Sequence, residues 1–424
     1  MNKKHLLESK TFCMAPWSHM HFMPNKNVNP CCMSPIDKTI GTLENSTLKD
    51  VWNSEEMKQL RVNMILDRES PEYCYRCYDK EKEGFGTLRQ HMNQSYADNH
   101  WNIVESTKYD GTVKELNLVH WDFRFSNICN QSCRSCGIEF STQWHDDFIK
   151  IWNTPKDQIP PKVKKIWTNL EDFSNEFETL FDKVEYIHFA GGEPLITDEH
   201  YRILEKLIEK KRTNVKLRYS TNFSGLKYKD YDVVEMWKHF DDIELVASLD
   251  DCGPRYNYLR RGGDWDKIIA NYKTVADKGL FESGKIKWLI HPTISVFNIF
   301  YLPEFHETLI REKLLDAKLH IIESGHHFNY RFHLNNLIFP EYLSCQILPK
   351  HLKEQVTEKL NAYALECQLY HWIDVEPLKG LISYMNAEDK THLIPRFLDE
   401  TNKLDNIRKE NTAEIFPFIK ELFE

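Results

Sequence analysis

The 424-residue chain carries 55 Lys and Arg against 64 Asp and Glu, a net charge of −9, with 41% hydrophobic residues. That length allows two or three domains with a substantial core, and the acidic balance without a long basic run argues against a general nucleic-acid binder. No run of about 18 apolar residues marks a membrane span. The opening Met1-Asn-Lys-Lys-His5 lacks the apolar core of a secretion signal, so the expected setting is the cytoplasm. There, eleven cysteines fit metal binding better than disulfides.

Five of those cysteines fall in the first 100 residues: Cys13, the adjacent pair Cys31-Cys32, and Cys74-Tyr-Arg-Cys77. Between them Leu48–Ser54 starts a short helix, and Asn53 and Ser54 are suited to cap a second helix over Glu55–Leu66. Met57, Leu60, Met64 and Ile65 form its apolar stripe. A polar connection is expected over 78–114, helical across Thr87–Ala97 and ending in the turn Asp110-Gly111. From 115 to 302, strand-like segments alternate with helix-like ones. The strands are Glu115–Phe125, Tyr186–Ala190, Lys216–Ser220, Glu244–Leu249 and Lys285–Ser295. The helices are Ser141–Trp152, Leu170–Phe181, Glu199–Lys211, Tyr231–His239 and Trp265–Lys278. Such alternation predicts a parallel sheet with crossover helices. Beyond Pro303 helices are expected over Pro303–Leu315, Pro349–Gln368 and Asn386–Leu404, and Leu319–Leu337 reads as a last strand and loop. His320, His326, His327 and His333 fit no usual metal spacing and read as pocket or surface residues.

The stretch that organises the chain is Cys129-Asn-Gln-Ser-Cys133-Arg-Ser-Cys136, directly after the first of those strands. Thiolates are the preferred ligands of iron–sulfur clusters, which usually take four. Three close thiols with no fourth nearby suit a [4Fe–4S] cluster with one iron left open. Zinc also takes four ligands, and neither His120 nor His145 stands at finger spacing. Gly191-Gly192-Glu193-Pro194 ends the next strand, where paired glycines let backbone approach a ligand and a carboxylate can hold an ammonium group. Ser220-Thr-Asn222 and Ser248-Leu-Asp250 end the following two with short hydrogen-bonding side chains, which are also common turn formers.

Together, the C-x3-C-x2-C spacing and the Gly-Gly-Glu-Pro closely resemble the radical S-adenosylmethionine (SAM) superfamily. The resemblance implies an α/β fold, a partial (β/α)6 TIM-type barrel over 110–302, with the chemistry at the C-terminal strand ends. It implies a [4Fe–4S] cluster on Cys129, Cys133 and Cys136, with SAM chelated to the open iron. It also implies reductive cleavage of SAM to a 5′-deoxyadenosyl radical that takes a hydrogen atom from the substrate. Gly191, Gly192, Glu193 and Pro194 would position the methionine part of SAM. Ser220, Asn222, Ser248 and Asp250 would meet its ribose or carboxylate, and Arg260 or Arg261 its carboxylate. The residue before the third cysteine is often aromatic in this family. Here it is Ser135, so other groups must cover adenine.

Residues 1–100 resemble a SPASM or twitch module, which runs from a cysteine through a hairpin ending in Pro-Cys and a Leu…Trp-Asn-Ser helix to C-x2-C. By that likeness Cys13, Cys31, Cys74 and Cys77 hold one auxiliary [4Fe–4S] cluster, with Cys32 the alternative to Cys31. No cysteine lies between Cys77 and Cys129 to serve a second one. A four-cysteine zinc site fits the spacing too. The module usually follows the barrel, whereas here it precedes it. Cys252 could return a hydrogen atom to the substrate, as in radical epimerases, although a small buried apolar residue is its plainer reading, as for Cys345 and Cys367.

The expectation is therefore a radical SAM oxidoreductase or maturase with a helical region over 303–424 that caps the barrel or lines the substrate pocket. Its substrate is expected to be a peptide or protein, changed by crosslinking, oxidation or epimerisation, with electrons from a flavodoxin- or ferredoxin-like donor. No winged-helix peptide-docking domain precedes Cys13, which keeps a small-molecule dehydrogenase or epimerase of a sugar or amino acid as the alternative. A zinc-stabilised binding protein without radical chemistry is a third reading.

Overall fold

The computed structural model describes residues 2–82, 86–167, 169–315, 331–370 and 376–424. Its frame is one eight-stranded sheet: β1 (His19–Phe22), β2 (Asn27–Asn29), β3 (Gly41–Thr42), β4 (His120–Arg124), β5 (Tyr186–Ala190), β6 (Lys216–Thr221), β7 (Ile243–Ala247) and β8 (Ile286–Ile290). The spatial order is β8-β7-β6-β5-β4-β1-β2-β3. From β4 to β8 neighbours in space are neighbours in sequence and run parallel, the order of a barrel wall rather than of a doubly wound sheet. Past β8, backbone bonds join Ile290 and Ile294 to 331–337, a short parallel pairing that continues the wall. Leu319–Leu337 was expected to hold the last strand; its part before Arg331, with His320, His326 and His327, lies outside the described residues.

Alternation along each strand decides what faces where. On β4 the odd members Trp121 and Phe123 turn outward. Trp121 packs edge-on against Phe177 and Phe181 at 5.0 and 5.2 Å between ring centroids, beside the helix Leu170–Phe177. The even members His120, Asp122 and Arg124 share the opposite, inner face. Strands covered on both faces are normally apolar throughout, so this polar inner face is the mark of a site rather than of a core.

The N-terminal module is built into the same sheet. β1 pairs in parallel with β4 in register from His19↔His120 to Phe22↔Phe123, and the hairpin β2–β3 extends the edge beyond it. The polar connection expected over 78–114 is largely a helix, Leu88–Glu105, with Met92, Tyr96, Trp101 and Val104 buried in the shared core. Ser54 does cap the helix Glu55–Ile65 through Met57 N at 3.2 Å. Asn53 is used differently: its amide grips the backbone of Val113 at 2.9 and 3.0 Å.

In the C-terminal region the expected helix Asn386–Leu404 is two, Glu376–Ala387 and Ile394–Arg408. The break has a local cause. Asp389 accepts a bond from Thr391 N at 3.0 Å, a turn that competes with the helix, and Pro395 stands at the start of the second segment. Among the described residues no helix is long and apolar enough to cross a membrane.

Candidate active site

Beyond β4 the chain folds into a loop whose shape is fixed by its own polar groups. Asn127 donates to Ile138 O and Lys162 O at 3.1 and 3.0 Å and accepts from Lys164 N at 2.8 Å. Ser132–Cys133 pairs antiparallel with Arg260–Arg261, and the Trp144 indole donates to Cys133 O at 2.8 Å. This folding brings Cys129, Cys133 and Cys136 to one wall of a cavity of about 460 Å³. Asn222 donates to Cys129 Sγ at 3.9 Å and Arg260 to Cys133 Sγ at 3.6 Å. Arg260 also donates to Asp250 at 2.9 Å, so Asp250 stands behind the arginine and Arg260 itself faces the cavity. Burial pushes all three thiols up, Cys136 to about 12, with the neighbouring thiols adding to the effect at Cys129 and Cys136.

Gly191, Gly192, Ser220, Asn222 and Ser248 line the cavity as expected, whereas Glu193 and Pro194 do not. The glycines also have a packing role. A Cβ on Gly192 would stand 2.1 Å from Ile128 O, and Gly191, at φ +110°, faces the backbone of Arg124. Their missing side chains let the turn press onto the cysteine loop, where Gly192 N and Glu193 N donate to Ser126 O and Ile128 O. Glu193 is buried and already accepts from Leu195 N (3.1 Å), Thr221 Oγ1 (2.6 Å) and Asn222 N (2.7 Å). It ties two strand ends together rather than presenting a carboxylate to a ligand.

Burial nevertheless raises the Glu193 carboxyl to about 7, above its ordinary 4.5. A carboxyl raised on folding adds stability below its unfolded value and loses that stability as pH rises through the folded one, here from about 4.5 to 7. Wild-type apoprotein should lose on the order of 3 kcal/mol against Glu193→Gln across that interval, read as the difference between their thermal-melt pH profiles. Parallel profiles would refute it.

Beneath His21 and Arg124, which line the cavity, lies a constellation that sequence reading missed. Along one row of the sheet the inward residues are His21, Asp122, His188, Arg218, Glu244 and Lys287. Asp122 meets His21 at 2.9 Å, His188 at 3.2 Å and Arg124 at 3.2 Å, and His188 reaches Ser220 Oγ at 3.0 Å. Burial alone would raise Asp122, but His21, His188 and Arg124 outweigh it and hold the carboxyl well below the usual range. His21 is itself lowered, first by burial and then by Arg124.

The module supplies the facing wall through Asn29, Cys32, Ser34, Ile36 and Arg76. Behind that wall, Cys74 and Cys77 on the helix Pro71–Lys82 lie within electrostatic range of Cys13 and Cys31, while among the described residues no three such side chains are already set around one metal ion. Burial raises each of these four thiols, and Cys31 and Cys77 raise Cys13 and Cys74 further. The adjacent cysteines point apart: Cys31 joins this set, while the Cys32 thiol meets Asp122 and lines the cavity.

Residues 123–309 match the family model described as the radical SAM superfamily, and residues 13–78 match that of an iron–sulfur cluster-binding domain, SPASM. The chain carries a radical SAM domain over residues 123–309. Its SPASM module comes first in the chain, ahead of the radical SAM domain. No curated protein sequence matches it. Among solved structures it is similar to Streptococcus suis SuiB bound to the precursor peptide SuiA, at 16% identity over 74% of this chain and 64% of that one, with a TM-score of 0.39. It is similar also to native anSMEcpe with bound AdoMet and Cp18Cys peptide, at 16% identity over 57% and 58%, with a TM-score of 0.36. The matched stretch thus spans less than two thirds of either structure's length.

A radical SAM domain carries a [4Fe–4S] cluster and SAM, and a SPASM module carries auxiliary iron–sulfur. The thiols of this chain fit those groups. All eleven cysteines are free; of the two sets Cys13, Cys77 and Cys133 are buried and the other four partly buried, and such thiols give up their protons readily to a bound cationic centre. Cys252 lies apart from the cavity lining, with its thiol facing Asp251 and Thr308, which removes the ground for a hydrogen donor there. Cys345 and Cys367 are buried in the core. His333 packs against His291 at 4.9 Å between rings. In place of an aromatic residue at Ser135, the cavity is lined by Phe140, four residues past the last cysteine.

Proposed function

We propose that Cys129, Cys133 and Cys136 hold the SAM-binding cluster, that Cys13, Cys31, Cys74 and Cys77 hold an auxiliary one, and that the substrate reacts in the cavity between them. The observation that carries this is the convergence of both cysteine sets on one cavity, the first on its wall and the second directly behind the facing wall. When bound, the cluster and SAM supply one-electron cleavage to a 5′-deoxyadenosyl radical that abstracts hydrogen from the substrate.

The chain's own residues divide the remaining work. Asn222 and Arg260 donate to the thiols and favour their ionised form. Ser220, Ser248 and the Gly191-Gly192 backbone offer polar contacts for SAM, and Phe140 an aromatic face for adenine. Asp122 and its histidines keep a fixed charge beneath the reacting region, with a path for a proton through His188 to Ser220.

For the substrate we propose a side chain of a peptide or protein, changed by crosslinking, oxidation or epimerisation. In support, the module wall carries the exposed apolar Ile36 beside Arg76 at the cavity edge, a surface a polypeptide can lie against. The cavity volume favours a second reading, a small molecule such as a sugar or amino acid, because about 460 Å³ is the size of an ordinary small-ligand pocket.

The test uses protein purified without oxygen, reconstituted with iron and sulfide, and given SAM and dithionite. Wild type is expected to form 5′-deoxyadenosine, while Cys129→Ala/Cys133→Ala/Cys136→Ala forms none. Absence of deoxyadenosine from fully iron-loaded wild type would remove the radical reading.

A further inference from the structure

The region over 303–424 was expected to cap the barrel or line the substrate pocket, and the helix Ile394–Arg408 is part of it. That helix contributes no residue to the cavity lining and instead grips the cysteine loop from behind. One arm runs through Arg134, which lies between Cys133 and Cys136. Its side chain is 3% exposed, stacks on the Tyr258 ring at 3.8 Å, and is ion-paired to Asp405 and, at 2.6 Å, to Glu410. Asp405 is fixed in turn by Tyr258 OH (3.0 Å), Thr412 N (2.8 Å) and Thr412 Oγ1 (2.7 Å).

The second arm lies one turn further on. Arg408, with a fully buried side chain, is paired to Asp147 at 2.9 Å and stacked on Trp144 at 4.7 Å. The same Trp144 donates to Cys133 O at 2.8 Å. Asp147 is met through Nε, and Arg408 Nη1 and Nη2 are buried without an acceptor. Buried donors left without an acceptor cost free energy, so these two N–H groups favour an acceptor placed beside them. The Cys133 thiol lies within its electrostatic reach.

We propose that the helix Ile394–Arg408 is a clamp on the cluster loop, with Asp405 and Arg408 as positioning residues: Asp405 holds Arg134 in place, and Arg408 sets a fixed positive charge beside the cluster. This rests on Cys129, Cys133 and Cys136 holding the SAM-binding cluster. The charge stabilises the more negative, reduced cluster, and the two arms together slow loss of its iron.

The experiment follows iron release to a chelator and the midpoint potential of each cluster in the anaerobically reconstituted full chain, by optical and paramagnetic resonance signals. Arg408→Gln is expected to make the SAM-binding cluster titrate at a more negative potential and release iron roughly tenfold faster, leaving the auxiliary cluster unchanged. Arg408→Lys keeps the charge and should recover the potential. Wild-type potential and wild-type release in Arg408→Gln would overturn the proposal, and so would a shift shared equally by both clusters. If Arg408→Gln does not fold, Asp405→Asn and the milder Thr412→Val replace it, with faster release expected and unchanged release overturning. The underlying assignment fails separately, if Cys129→Ala/Cys133→Ala/Cys136→Ala retains the full iron of the wild type.

Discussion

Cys31→Ser is expected to bring the chain down to about half its iron, whereas Cys32→Ser keeps it all. Two [4Fe–4S] clusters amount to about eight irons per chain, and a serine oxygen is a poor replacement for a thiolate on one of them. Cys31 opens a turn closed by Ser34 N on Cys31 O, from which the two thiols leave in different directions toward chemically different surroundings. The Cys31 thiol accompanies Cys13, Cys74 and Cys77, with Ser34 Oγ at 3.6 Å. The Cys32 thiol meets Asp122 beneath the cavity. Anaerobic iron and sulfide analysis decides the matter. Half-loading in Cys32→Ser and full loading in Cys31→Ser would reverse the assignment; in the expected case, Cys32→Ser becomes a probe of the substrate cavity with both clusters intact.

Gly192→Ala is the second large effect. The new methyl would meet Ile128 O at 2.1 Å and Ile128 C at 2.6 Å, and both are backbone atoms that no rotamer change can move aside. Overpacking of this kind costs about 3 kcal/mol or more, and relief requires the cysteine loop to back away from the strand ends. The expected result is a clear fall in thermal midpoint together with loss of the SAM-binding cluster's iron, the auxiliary iron being retained. Gly225→Ala is the control, since nothing lies within 4 Å of its Cβ position. Equal stability and iron content in the two variants would show that the turn yields more easily than its contacts indicate.

What could be read in advance was local. The C-x3-C-x2-C run, the Gly-Gly-Glu-Pro turn and the strand Tyr186–Ala190 each announce themselves within ten residues, because spacing and alternation are short-range properties. What was missed, left open or misread is long-range or directional. Nothing in His19–Phe22 names its partner β4, and nothing in Cys31-Cys32 says which thiol turns which way. Glu193 was given to a ligand because a carboxylate beside two glycines suits one; its real partners, Thr221 and Asn222, come from the next strand. One signal for the Asp122 constellation was present. His120, Asp122 and Arg124 interrupt an otherwise aromatic strand at every second position, as His19 and His21 do in β1, and a strand covered on both faces has little reason to alternate that way.

The pairing of β1 with β4 also sets an order of events. His19 and the residue it bonds, His120, are 101 positions apart. At typical synthesis rates of about 5–20 residues per second, the first strand leaves the ribosome roughly 5–20 s before its partner exists. During that wait the β1–β2–β3 hairpin presents an open edge bearing Met20 and Phe22, the sort of edge that recruits other chains. Joining distant stretches also raises contact order and slows folding. A chain that places its metal-binding module first therefore has to keep an unfinished sheet from aggregating while the rest is made. Its yield in cells should respond to temperature, translation speed and holding chaperones more than its final stability would indicate.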